Sequence, residues 1–131
     1  MQLLIVRHAE AASGEPDELR PLTPDGRAAA RALGERLARD GIQPDAILTS
    51  PLLRARETAR ELARPTGVEP EADERLAPGA TAEAVRAAAE EHGQTVVVVG
   101  HQPDCSRIAA ALTGSVEPAF PPGAMLAIDL S

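Results

Sequence analysis

Two stretches of this chain each place a histidine just beyond an apolar run. In LLIVRHAEA, Arg7 and His8 follow Leu3 to Val6; in TVVVVGHQP, His101 follows the run and Gly100. The chain has three histidines in all, so two at such positions restrict what they do. A third stretch, ILTSPLLRARETA, adds Arg54 just past another apolar run. Arginine offers a rigid fork of N–H donors that matches phosphate oxygens. An imidazole titrates near 6.5 and is nucleophilic when neutral. A histidine beside an arginine-lined anion pocket can accept a phosphoryl group, and the pocket then stabilises charge on the transferring oxygens. Each piece has a plainer reading. A strand reaching water welcomes Arg7-His8, and Arg54 alone is a solvated helix residue. Their meaning depends on whether the fold brings them together.

The apolar pattern supplies strands alternating with amphipathic helices. Gln2 to Val6 reads as a strand, followed by a polar loop from His8 to Leu22. Thr23-Pro24-Asp25 is a helix start: a capping hydroxyl, proline in the first turn, and an acid at the positive helix end. Ala29, Leu33 and Leu37 then fall on one face, and Gly41 can stop the helix. Asp45 to Thr49 reads as a second strand, and Ser50-Pro51 as a cap opening a helix to about Ala63. A short strand is expected before the loop Leu76–Ala80. Thr81 caps a third helix, ended near His92 and Gly93. Thr95 to Val99 is an uninterrupted β-branched run, suited to a central strand buried on both faces. A fourth helix spans about Cys105 to Leu112, and Ala124 to Leu130 is a last strand. This alternation predicts an α/β fold: a three-layer α/β/α sandwich with a mainly parallel central sheet, formed by residues 1–131 as one domain. Parallel sheets bind ligands beyond the carboxyl ends of their strands, where Arg7, His8, Glu10, Ser50, Arg54 and His101 all fall.

Composition narrows the function further. The formal charge is −7, and all 13 basic residues are arginine. With a single aromatic residue, Phe120, the chain lacks stacking platforms, and its acidity opposes nucleic-acid or anionic-membrane partners. Neither a lysine Schiff base nor a phosphate-loop lysine is available. A single cysteine, Cys105, excludes an internal disulfide and reads as a small packed residue. No stretch reads as a signal peptide or reaches the ~20 apolar residues of a membrane span, so the expected compartment is the cytoplasm. No HxH or HxxxE spacing supports a metal site built on His8 and His101. His92 reads as a helix C-terminal residue favoured by the dipole. Arg56 and Arg60 read as surface residues, with Arg60 able to pair with Glu57 or Glu61.

LLIVRHAEA, LRPLTPDGRAAARALGERL, ILTSPLLRARETA and VVVVGHQP together resemble the histidine phosphatase, or phosphoglycerate-mutase-like, superfamily, and within it the short SixA-type phosphohistidine phosphatases. The resemblance runs through nearly the whole chain. It implies that His8 is the nucleophile that becomes phosphohistidine, with Arg7, Arg54 and His101 binding phosphate. It implies an acidic proton donor, for which Glu74 in DERLAPG is the best match and Glu10 and Asp17 are competitors. Asp17 and Arg20 match the family's DxxRPLTxxG pattern as loop-ordering residues. No cofactor or metal is implied. Two partners are open: a phosphohistidine-bearing protein, or a small phosphomonoester. The short loops leave the pocket open, which favours a phosphoryl group presented on a protein. A non-catalytic phosphate-binding module is the other class to be weighed.

Overall fold

The computed structural model describes residues 1–130. Five strands form one sheet: β1 Gln2–Arg7, β2 Ala46–Thr49, β3 Pro70–Ala72, β4 Thr95–Gly100 and β5 Met125–Asp129. Four helices connect them: α1 Pro24–Arg39, α2 Leu53–Ala63, α3 Ala82–Glu90 and α4 Asp104–Thr113. Strand order is β3-β2-β4-β1-β5. All pairings are parallel except β1 with the edge strand β5.

Alternate side chains divide the core cleanly, as strand geometry requires. Leu3, Ile5, Leu48, Val96 and Val98 face one layer and pack with Val85 and Ala88 of α3 and Ile108 of α4. Leu4, Val6, Ile47, Val97 and Val99 face the other and pack with Leu33 and Leu37 of α1 and Ala55, Ala59 and Leu62 of α2. The expected three-layer α/β/α sandwich is therefore observed.

The α1 start is as expected: Thr23 Oγ1 accepts from Gly26 N at 2.9 Å, with Pro24 in the first turn. Two local expectations need correction. The buried face of α1 is Gly26, Ala30, Leu33, Gly34 and Leu37, whereas Ala29 is exposed. The face is rotated because two glycines let α1 approach its neighbours. A Cβ on Gly26 would overlap the Glu10 carbonyl, and one on Gly34 would lie 2.9 Å from the Glu61 carbonyl oxygen on α2. The helix after β2 also starts later than Ser50-Pro51 suggests. Leu52 holds the N-cap position without a side-chain cap bond, and Ser50 turns inward instead.

Glu61 is fully buried where α1 meets α2, so it must be compensated. Its carboxylate lies 3.4 Å from Arg31, 3.3 Å from Arg64 and 3.8 Å from Arg27, and Arg27 also reaches Glu57 at 3.1 Å. Arg60 is not their partner among the described residues: it projects outward and is exposed. Cys105 is buried, and desolvation together with the Asp104 charge pushes its thiol up to about 12, as befits a packed residue. Among the described residues no helix is long and apolar enough to cross a membrane.

The close α1–α2 approach makes a prediction. Gly34→Ala should destabilise the protein by about 1–3 kcal/mol through overpacking, while Ala29→Glu on the exposed face should stay within about 0.5 kcal/mol. Denaturant midpoints for the two variants check both the contact and the assigned helix face.

Candidate active site

The register of the three central strands fixes the site. Arg7 pairs with Gly100 across β1 and β4, and Thr49 with Val99 across β2 and β4. The ladder continues one step beyond: His8 N donates to Gly100 O and Ser50 N to Val99 O, both at 3.0 Å. Arg7, His8, Ser50 and His101 thus emerge at one sheet edge. The His8 and His101 rings stand 5.2 Å apart, tilted by 57°. They open into a depression of about 450 Å³ that Arg7, Arg20 and Arg54 also line. Glu10 and Asp17 share that lining, with Ala11, Pro78, Gln102 and Pro122 forming the rest of the wall.

His8 Nδ1 lies 2.7 Å from the Ala9 carbonyl oxygen. A carbonyl only accepts, so the neutral ring carries its hydrogen on Nδ1 and its lone pair on Nε2. Ala9 is itself held, its N–H donating to Thr58 Oγ1 at 3.0 Å, and that hydroxyl donates to Arg54 O at 2.8 Å. Thr58 therefore joins the peptide that orients His8 to the helix turn that presents Arg54. Desolvation chiefly, then the charges of Arg54, Arg7 and Arg20 against the Ala9 bond, bring His8 down to about 4. His101 is also brought down to about 4, by desolvation first, then by His8 and Arg54. Both rings are neutral at pH 7.

The arginines are fixed by the backbone of two loops. Arg7 Nη1 donates to Phe120 O at 3.0 Å, tying it to the Pro-rich loop before β5. Arg54 Nη1 donates to Asp17 O at 2.9 Å and Nη2 to Asp17 Oδ2 at 3.2 Å. Arg20 Nε takes the other carboxylate oxygen, Oδ1, at 2.9 Å. Desolvation raises Asp17, but the two guanidiniums outweigh it and leave its carboxyl below the ordinary value. The buried Nε of Arg7, Nε of Arg54 and Nδ1 of His101 have no hydrogen-bond partner among the described residues. All three belong to side chains around the same depression, which suits an oxyanion ligand.

Of the residues singled out in sequence, Arg7, His8, Glu10, Asp17, Arg54 and His101 come together here. Glu74 does not. It opens a single 3-10 turn, Glu74–Leu76, is exposed, and faces a separate depression with Arg75, Thr81 and Ala84. The turn buries Leu76 in the core, which directs Glu74 outward. Glu10 is exposed at the rim, where its Oε1 accepts from Thr23 Oγ1 at 2.7 Å. Two contributors are not apparent from sequence. Ser50 reads as a cap, yet its buried Oγ sits 2.7 Å from His101 Nε2 and accepts from Leu52 N at 3.2 Å. Thr58 is a hydroxyl buried beside Ala55, Ala59 and Leu62 on α2, and its place among those apolar residues is its only signal. His92 sits beyond α3, far from this edge, with Nδ1 on Ala88 O at 2.9 Å and Nε2 on Glu71 at 3.2 Å. Among the described residues no three His, Cys, Asp or Glu side chains gather to hold a metal ion.

A family model described as histidine phosphatase superfamily (branch 1) matches residues 3–78. The chain belongs to the histidine phosphatase superfamily. The matched span carries Arg7, His8 and Arg54 of this member and stops short of His101. The chain is 38% identical over 120 residues to an uncharacterised protein of Picosynechococcus sp., covering 86% of this chain and 73% of that one. It is 30% identical over 138 residues to phosphohistidine phosphatase SixA of Escherichia coli, covering 99% of this chain and 86% of that one. Its fold superposes with a TM-score of 0.89 on a protein histidine phosphatase SixA structure complexed with tungstate, at 28% identity, covering 99% of this chain and 90% of that one.

The depressed histidines set a pH dependence of stability. Between their folded values of about 4 and an unfolded value near 6.5, the folded state binds fewer protons than the unfolded state. The contribution of His8 and His101 is therefore complete above about pH 6.5 and is lost as the pH falls toward about 4. His92, whose value is raised by its Ala88 bond and Glu71, acts in the opposite sense, with stability lost as the pH rises through its folded value. The melting temperature should decline on acidification across that window, and the decline should flatten in a His8→Asn/His101→Asn variant that retains His92.

Proposed function

We propose that this protein is a phosphatase that passes the phosphoryl group through His8, and that its substrate is phosphohistidine on a protein. The observation that carries the reading is His8 itself. It is a buried neutral imidazole with Nδ1 committed to Ala9, leaving Nε2 as the lone pair at an arginine-lined depression. Similarity to a phosphohistidine phosphatase and to a relative solved with tungstate, a tetrahedral oxyanion, supports it.

In the first step His8 Nε2 attacks phosphorus in line. The P–Nε2 bond forms as the bond to the leaving nitrogen breaks. Arg7 and Arg54 hold the equatorial oxygens, and His101, positioned by Ser50, completes the cradle. In the second step water attacks phosphorus, inorganic phosphate leaves, and His8 returns to its neutral form. The surrounding carboxylates favour an imidazole leaving group over an alkoxide. An alkoxide needs a proton from the enzyme. Asp17 is ion-paired to Arg54 and Arg20 and held ionised, and Glu74 lies outside the depression. A phosphoimidazole protonated on its second ring nitrogen departs as neutral imidazole and needs no such donor. Glu10, at the rim and in no ion pair with an arginine among the described residues, would take the proton from the attacking water.

Incubation with a phosphodonor, followed by an alkaline quench, should leave one base-stable, acid-labile phosphate on His8, absent from His8→Ala. Absence of label together with absence of turnover would favour a phosphate-binding module. Arg54→Ala should lower kcat/KM by about 100- to 1000-fold, the loss typical of removing a group that stabilises transition-state charge. Glu74→Gln should leave phosphohistidine turnover unchanged, and a tenfold loss there would return Glu74 to the mechanism. Substrate profiling that favours a small alkyl phosphate over a phosphohistidine protein would overturn the substrate assignment.

A further inference from the structure

Helix α2 carries a second set of arginines that the site does not use. Arg56 and Arg60 on α2 and Arg64 at its C-cap recur at i, i+4 and i+8, and all three are exposed. Eight residues of helix place them along a ridge of about 12 Å. Arg64 is partly engaged by Glu61 at 3.3 Å. Arg56 and Arg60 have no carboxylate within ion-pair distance among the described residues, although the chain carries 20 acidic side chains against 13 basic ones.

The ridge borders a trough between α2 and the edge strand β3. Two adjoining depressions of about 200 and 360 Å³ share Arg60, Glu69 and Pro70. Arg56 and Thr49 line the first, and Thr49 immediately precedes Ser50 of the active site. One end of the trough therefore lies at the sheet edge that holds His8 and His101. Glu69 is the one acidic residue in its lining.

We propose that this trough docks an acidic, helical segment of the phosphorylated protein substrate, with carboxylates at helical spacing meeting Arg56 and Arg60. The proposal rests on the phosphohistidine-phosphatase reading and adds to it the kind of protein surface recognised. Charge complementarity argues for the occupant. An enzyme with a net charge of −7 repels an acidic partner on most approaches, and the arginine ridge supplies the orientation that is favoured. The same net charge and the single aromatic residue disfavour a nucleic acid in the trough.

The test uses two synthetic helical phosphohistidine peptides that differ only at three positions spaced i, i+4 and i+8, Glu in one and Gln in the other. At low salt the unaltered enzyme should show a KM roughly tenfold lower for the Glu peptide, as a few surface ion pairs allow, with similar kcat. Arg56→Glu/Arg60→Glu should abolish that preference and leave turnover of free phosphoimidazole unchanged. Arg36→Glu/Arg39→Glu, an equal charge change on α1, should retain it. A preference absent from the unaltered enzyme, or surviving in the α2 variant, overturns the docking surface. Anisotropy with the unphosphorylated peptides reads docking without chemistry and should show the same order. Failure to hydrolyse either peptide or phosphoimidazole, with the binding preference intact, would instead sink the phosphatase reading alone.

Discussion

Everything at the candidate site depends on β4 lying between β1 and β2 in parallel register. Parallel strands end on the same side, so their following residues converge without help from any side chain. The two backbone bonds just past the ladder, His8 N to Gly100 O and Ser50 N to Val99 O, carry that convergence one residue further. The valine run of β4 is what makes a central position tolerable, because both of its faces are covered by helices. The His8 and His101 rings are thereby seated directly after strand ends.

Around this edge, polar groups are used to hold one another. Ala9 is gripped at both peptide ends, its N–H by Thr58 and its carbonyl by His8. Asp17 gives its backbone oxygen and one carboxylate oxygen to Arg54 and the other to Arg20. The guanidinium planes are oriented before any anion arrives, which is the preorganisation that electrostatic catalysis needs. The same ion pairs hold the Asp17 carboxyl below its ordinary value, so a residue that orders the pocket in this way is a poor proton donor.

The layered fold and the strand-end residues were legible because they rest on patterns that survive folding: period two in strands, caps and glycines at helix ends, and ligands beyond parallel strands. The parts that were not legible depend on three-dimensional approach. In GRAAARAL the alanines are interchangeable by composition, and only the fit of Gly26 and Gly34 against Glu10 and Glu61 selects Ala30 over Ala29 for the core. Ser50-Pro51 has the chemistry of a helix start, but His101 competes for the hydroxyl and the helix begins later. Glu74 follows β3 as a site residue should, yet β3 has three residues, sits at the sheet edge, and leads into a turn whose buried member is Leu76. Arg60 has glutamates nearby in sequence, but they face α1 and are neutralised across the helix interface.

The position of β1 has a consequence for how the site is assembled. Strand β1, first of the five in chain order, has β4 and β5 as its only sheet neighbours among the described residues. His8 and Arg7 therefore depend on segments far later in the chain. His8 gains its ladder bond only with Gly100, and Arg7 gains its carbonyl anchor only with Phe120. An Arg7-His8 pair made without β4 and the Phe120 loop would lack both of these contacts.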